Sequence, residues 1–327
     1  MLQIVTSEDG RLSALALGDN TRLPANAVWI DLYGPTPAEE AFLERSLGIS
    51  LPTKEEMQEI EPSSRLYQEN GAMFMTANVV WKADTTEPES TAVTFILTHE
   101  RLVTIRYGDP RAFRFFVAHA ERNHALCATA PHALVNLLDA IVDRLADILE
   151  RNGADVDAIA KAILRRGEAP DRRRLTTENL QDALTRMGQS HDLTAKLRDS
   201  LVSLSRLLSF IELPGAVKDD KDLRERVRSL RRDVASLTDH STFIAGNINF
   251  LLDATLGLIN VQQNAIIKIF SVAAVIFLPP TLVASIYGMN FKIMPELHWG
   301  FGYPWALVVM VVSAALPYLW FKRRGWL

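Results

Sequence analysis

Apolar weight along this chain is concentrated at its far end. From Ile266 to Met289 about 24 residues carry one charge, Lys268, close to the start, and from Phe301 to Phe321 about 21 carry none. A helix needs about 20 apolar residues to cross a bilayer core, whereas a soluble helix of that length keeps a polar face. Both runs are therefore predicted to span a membrane. The connection Asn290–Gly300 is short and makes them an antiparallel hairpin. Lys322, Arg323 and Arg324 follow the second run and Lys268 opens the first, while the connection holds only Lys292 and Glu296. Positive side chains mark the cytoplasmic side, so both termini are expected inside and the connection outside. Two spans cannot enclose a conduit, which implies an oligomer.

Ahead of the first span, Gly215 to Leu278 contains no proline. Apolar residues recur there in steps of four and three: Leu223, Val227, Leu230, Val234, Leu237, Ile244, Ile248, Leu251 and Leu258, with Ser241 and Thr255 filling the gaps. A 3.5-residue repeat marks helices that share a seam. Continued to Tyr287, the pattern predicts one helix of about 70 residues and about 100 Å. A two-chain coiled coil or a cytoplasmic bundle would carry the same repeat. Polar seam positions and direct continuation into a span favour a stalk that leads to a pore.

The N-terminal part reads as mixed α and β. Strands are expected at Gln3–Val5, Ser13–Leu17, Val28–Leu32, Ala72–Trp81, Ala92–Leu97 and Leu102–Arg106. Helices are expected at Pro37–Leu47, Pro110–Asn123, Pro131–Asn152, Asp155–Arg166 and Leu175–Glu212, with a solvated turn at Arg165–Arg174. The expected organisation is a cytoplasmic mixed α/β domain over 1–170 and cytoplasmic helices including the stalk over 171–265. A membrane domain over 266–327 follows: first span about 266–289, outer connection 290–300, second span about 301–321 and basic tail 322–327.

Composition removes several alternatives. The net charge of −4 over 327 residues is too mild for a nucleic-acid partner. Cys127 is the only cysteine, so no intrachain disulfide forms. The first ten residues lack a basic stretch followed by an apolar run, so they are not read as a secretory signal. There is no phosphate-binding Gly-x-x-x-x-Gly-Lys-Ser/Thr loop. The seven histidines are scattered, and no catalytic set is visible. The chain is read as no enzyme and as having no organic cofactor.

Chemistry concentrates in the first span and its exit. Between Asp253 and Glu296 there is not one carboxylate. A cation pathway along this helix must rely on neutral dipoles. In heptad phase one face reads Asn264, Ile267, Ser271, Ala274, Leu278, Thr281 and Ser285, polar at both ends and small or apolar between. That suits a water-filled passage with apolar constrictions; a small-residue stripe for helix packing would look the same. Pro279-Pro280 removes two backbone donors inside the span.

Tyr287-Gly288-Met289-Asn290 stands just outside the first span, before a short connection and a second span. In that position it resembles the signature of the CorA family of magnesium and cobalt transporters. Phe291–Leu297 and the ending Phe321–Leu327 resemble the enterobacterial branch. The resemblance is specific over about the last 70 residues and looser before, where it rests on the order of elements. It implies a funnel-shaped homo-oligomer, a pentamer. Each subunit would have an α+β cytoplasmic domain (an αβα sandwich), a long stalk helix and two transmembrane helices, in the bacterial inner membrane. By resemblance, Gly288, Met289 and Asn290 form the ion mouth and Glu296 concentrates cations. Thr281 matches a hydroxyl ring, Leu278, Phe270 and Ile267 match apolar constrictions, and Asn264 matches a polar ring near the cytoplasmic end. Ser285 departs from the glycine found in some members.

The implied cargo is hydrated Mg2+, with Co2+ and Ni2+ as further ions, and Mg2+ also acts as the regulatory ligand. The partners are further copies of the chain, the bilayer and divalent cations. In the family, intracellular magnesium bridges acidic residues between neighbouring cytoplasmic domains and holds the pore closed. Candidates are Asp84, Asp219, Asp220, Asp233, Asp239 and Asp253, with Asp233, Asp253 and Asp84 foremost. Two other readings stand: a zinc transporter of the same superfamily, and a membrane-anchored coiled-coil scaffold that conducts nothing.

Overall fold

Alternating burial along the strands organises the first part of the chain into layers. The computed structural model of the protein describes residues 1–6, 12–15, 22–164, 177–212, 220–290 and 294–324. Its internal contacts define two units, Met1–Leu252 and Asp253–Leu327.

In the first unit, described strands β1 (Leu2–Thr6), β2 (Leu12–Ala14), β3 (Ala27–Tyr33), β4 (Leu66–Glu69), β5 (Ala72–Trp81), β6 (Glu89–Leu97) and β7 (Leu102–Arg106) form one sheet. Its order is β2-β1-β3-β7-β6-β5-β4. The β3–β7 pair is parallel and the other pairs are antiparallel. Because side chains alternate across a strand, Ile30 and Leu32 share a face with Phe74, Ile96, Val103 and Ile105. Leu43 of α1 (Pro37–Leu47) and Met57 close that side. On the opposite face Trp29 meets Phe113 and Phe116 of α3 (Arg111–Ala120), with ring centroids 6.2 and 5.2 Å away. Helices α4 (Ala130–Leu164) and α5 (Thr177–Glu212) pack on the strands and on each other. The αβα layering expected of the cytoplasmic part is present.

Local signals explain most boundaries. Helix α1 opens on a capping box between Thr36 and Glu39, with Pro37 in its first turn, and closes on Gly48 at φ +66°. The sequence reading missed β4, whose Tyr67-Gln68-Glu69 is half-exposed. Asn70 and Gly71 both have positive φ and turn β4 into β5; an Asn-Gly pair is a strong hairpin signal. A short helix, α2 (Pro62–Arg65), precedes β4. The expected break between Pro131–Asn152 and Asp155–Arg166 is absent, because α4 is continuous through Gly153. That glycine serves packing instead: a Cβ there would lie 3.3 Å from Cδ1 of Ile244, so its absence lets two helices approach. The expected turn at Arg165–Arg174 lies outside the described residues.

Helix α6 runs from Lys221 to Tyr287; Gly215, where the expected proline-free stretch begins, lies outside the described residues. Its seam is mostly buried, including the polar members Ser241 and Thr255, with Leu237 and Leu258 half-buried. Within the first unit this seam is covered by the chain's own helices. Arg226 reaches Asp139 of α4 at 3.6 Å, Arg231 reaches Glu212 of α5 at 2.5 Å, and Ile244 lies against Gly153. The heptad repeat there records an intrachain bundle. In the second unit, α6 and α7 (Gly302–Arg323) are each long and apolar enough to cross a membrane, with only 6% and 11% of their most apolar windows buried.

Candidate functional site

Asn264, Ile267, Ser271, Ala274, Leu278, Thr281 and Ser285 all fall on α6 at alternating steps of three and four, so they share one helical face. Every one of them is exposed in the single chain, and so is Phe270 beside them. Ile267, Phe270 and Leu278 are 61%, 71% and 66% exposed, a degree of apolar exposure that requires lipid or further protein around it.

The Thr281 hydroxyl donates to the Phe277 carbonyl at 2.7 Å. Its proton is thereby engaged, and its lone pairs remain as acceptors. That matters for a hydrated dication, whose shell waters point their hydrogens outward and need acceptors around them. Pro279 and Pro280 remain inside the helix, leaving the Val275 and Ile276 carbonyls without their usual helical donors.

Past Tyr287 the helix ends in a tight turn. The Gly288 amide donates to the Ala284 carbonyl at 2.9 Å and the Met289 amide to Ile286 at 3.2 Å. A Cβ on Gly288 would sit 3.1 Å from the Ala284 oxygen, so this closure favours glycine. Met289 and Asn290 are exposed beyond it. Glu296 lies in the 3-10 turn Pro295–His298. Lys292 lies outside the described residues. Among the described residues no group of three or more His, Cys, Asp or Glu is arranged to hold a metal ion.

The proposed sensing carboxylates have distinct surroundings. Asp233 and Asp253 are exposed on α6. Asp84, in the β5–β6 connection, is gripped by Arg111 at 2.6 Å, Arg144 at 2.9 Å and Arg151 at 2.5 Å. Burial pulls its carboxyl pKa up, but the hydrogen bond from Arg151 and the charges of Arg144, Arg151 and Arg111 outweigh that and hold it below the usual range. Asp220 accepts from the amides of Asp222 and Leu223 at 2.9 and 3.1 Å and caps α6. Asp239 is exposed on α6, and Asp219 lies outside the described residues.

The sequence reading overlooked Asp139 and Asp143, which sit four apart on α4 and feel Asp233. Burial first, then Asp233, raises the Asp139 carboxyl pKa against the lowering by Arg226. Burial first, then Asp139, Asp147 and Asp233, raises that of Asp143. A carboxyl raised on folding contributes stability that is full below its unfolded value of 3.8 and lost as pH rises through the folded value. Asp143→Asn should therefore raise the melting temperature at neutral pH, by about 2 °C or less for a surface charge. The gain over wild type should fade on acidification toward the ordinary carboxylate range. A thermal-melt series from pH 7 down to pH 4, with the two curves parallel throughout, would contradict this.

The model of the family described as CorA-like Mg2+ transporter protein matches residues 24–323. The chain is similar to the magnesium transport protein CorA of Pectobacterium atrosepticum, 35% identical over 329 aligned residues that cover all of both chains. It is 34% identical to the protein of that name from Escherichia coli K12 over 331, again covering all of both. Among solved structures, the complete CorA magnesium transporter of Methanocaldococcus jannaschii matches with a TM-score of 0.75 at 20% identity, over 100% of this chain and 98% of that one. At that identity the likeness shows a shared fold.

Proposed function

Since the chain belongs to the CorA family, a family of transporters and not of enzymes, we propose that it conducts Mg2+ across the bacterial inner membrane. Its full-length relatives are named as magnesium transport proteins. The observation that carries the reading is the exposed, carboxylate-free face of α6 that ends in Gly288-Met289-Asn290.

On this proposal copies of the chain, five of them, stand around a wet axis with that face inward. Mg2+ dehydrates reluctantly and keeps several waters. The amide oxygens of Asn290 receive the hydrated ion, Thr281 and Asn264 offer further acceptors, and Leu278, Phe270 and Ile267 form constrictions that close by shedding water. Carboxylates in their place would hold the ion against release. Both termini lie in the cytoplasm. An inside-negative potential drives uptake with about 2.3 kcal/mol per charge per 100 mV, about 4.6 for a dication. Co2+ shares the route, whereas zinc, which prefers nitrogen and sulfur donors, meets neither imidazole nor thiol on this face.

Closure by intracellular Mg2+ would act through Asp233 and Asp253, which are exposed and have no ion pair among the described residues. Asp84 would join them only after exchanging its arginines. The test is Mg2+ flux into proteoliposomes with and without luminal Mg2+. Flux that luminal Mg2+ suppresses supports the whole reading, flux indifferent to it removes the gating, and flux equal to that of empty vesicles removes the transport.

A further inference from the structure

We propose that the groove between α6 and α7 binds an anionic phospholipid from the leaflet at the Arg323 end of the hairpin. The cavity there holds about 550 Å3 and is walled by Val275 of α6 and by Leu316, Leu319 and Trp320 of α7, with Arg323 at its mouth. These walls are open: Leu316 is 63% and Leu319 53% exposed. A small inorganic anion would leave such an apolar volume unfilled, and acyl chains would fill it.

The charge at the mouth supplies the second half of the argument. Lys322 and Arg323 end α7, and the Arg324 guanidinium lies 5.1 Å from the Trp320 ring centre. Lys268 stands seven residues before Val275, on the same side of α6 and about 10 Å along its axis. After Asp253 the only acidic side chain is Glu296, in the connection at the opposite end of both runs. Among the described residues no salt bridge joins Lys268, Lys322, Arg323 or Arg324 to a carboxylate. A net-negative phosphate headgroup complements it, a zwitterionic one less so. Trp320 sits where an indole favours the boundary between hydrocarbon and headgroups.

The inference rests on the membrane reading of the two helices, so the experiment separates the two. Full-length protein is first reconstituted and floated with alkali-washed liposomes. It is then released into mild detergent and weighed by native mass spectrometry after incubation with phosphatidylglycerol or phosphatidylethanolamine. Co-flotation with preferential retention of phosphatidylglycerol is expected. Arg323→Gln should weaken that retention about fivefold, the effect of one basic charge near a headgroup, and Val275→Trp, which fills the groove, should weaken both lipids alike. Co-flotation with equal retention of the two lipids, or retention unchanged in both variants, would overturn the lipid site alone. If Val275→Trp instead shifts the oligomer mass and leaves lipid retention unchanged, the groove belongs to a second copy of the chain and the proposal fails. Failure to co-float would remove the membrane reading and this inference with it.

Discussion

Asn290→Ala should abolish Mg2+ uptake while the oligomer still assembles in the membrane. Asn290 lies beyond the last helical turn and is exposed, so its loss leaves no cavity and breaks no packing. On the proposed reading, what it removes is an acceptor for the shell waters of the ion. Hydrogen bonds to charged groups are worth about 1.5–3 kcal/mol, so losing even one at the mouth slows ion admission by about tenfold or more, and every copy loses one. Uptake of Mg2+ in vesicles, with oligomer size measured in parallel, decides the matter. Normal uptake by a correctly assembled Asn290→Ala protein would remove Asn290 from the ion path.

Asp31→Asn or Arg106→Met should cost about 3–5 kcal/mol of folding stability, because each strips a buried charge of its main partner. Asp31 is 0% and Arg106 5% exposed. The Arg106 guanidinium donates to Asp31 from Nε at 3.2 and 3.1 Å and from NH2 at 2.9 Å, and to Asp109 at 2.8 Å. It also lies over the rings of Tyr33 and Phe113, 4.6 and 4.7 Å from their centres. Asp31 accepts from the Thr104 hydroxyl at 2.6 Å, and that hydroxyl accepts from the Trp29 indole at 2.9 Å. Burial alone would lower the Arg106 pKa, but Asp31 and Asp109 raise it overall, so the guanidinium stays protonated. Replacing both partners by apolar groups should recover much of the loss. Denaturant titration of the single and double variants tests this, and additive losses in the double variant would exclude a coupled pair.

The pieces of this molecule that were legible in the sequence are those set by short-range periodicity. The spans, the seam residues of α6, the strand Ala72–Trp81 and the turn after Tyr287 all announce themselves within a few turns of chain. The Asp31–Arg106 pair does not, because its members are 75 positions apart and meet only through the parallel pairing of β3 with β7. The three arginines on Asp84 come together in the same indirect way, from α3 and from two turns of α4. Asp139 and Asp143 looked like ordinary surface acids until α6 brought Asp233 near them. The heptad spacing makes the seam of α6 legible, but periodicity does not identify the partner, and here α4 and α5 lie beside it.

Pro279 and Pro280 give α6 a soft point that the rest of the helix lacks. Two rungs of its hydrogen-bond ladder are missing at Pro279 and Pro280, so this turn is held by fewer bonds than its neighbours, although the Thr281 hydroxyl still donates to the Phe277 carbonyl across it. A bend in α6 would therefore cost least at that turn.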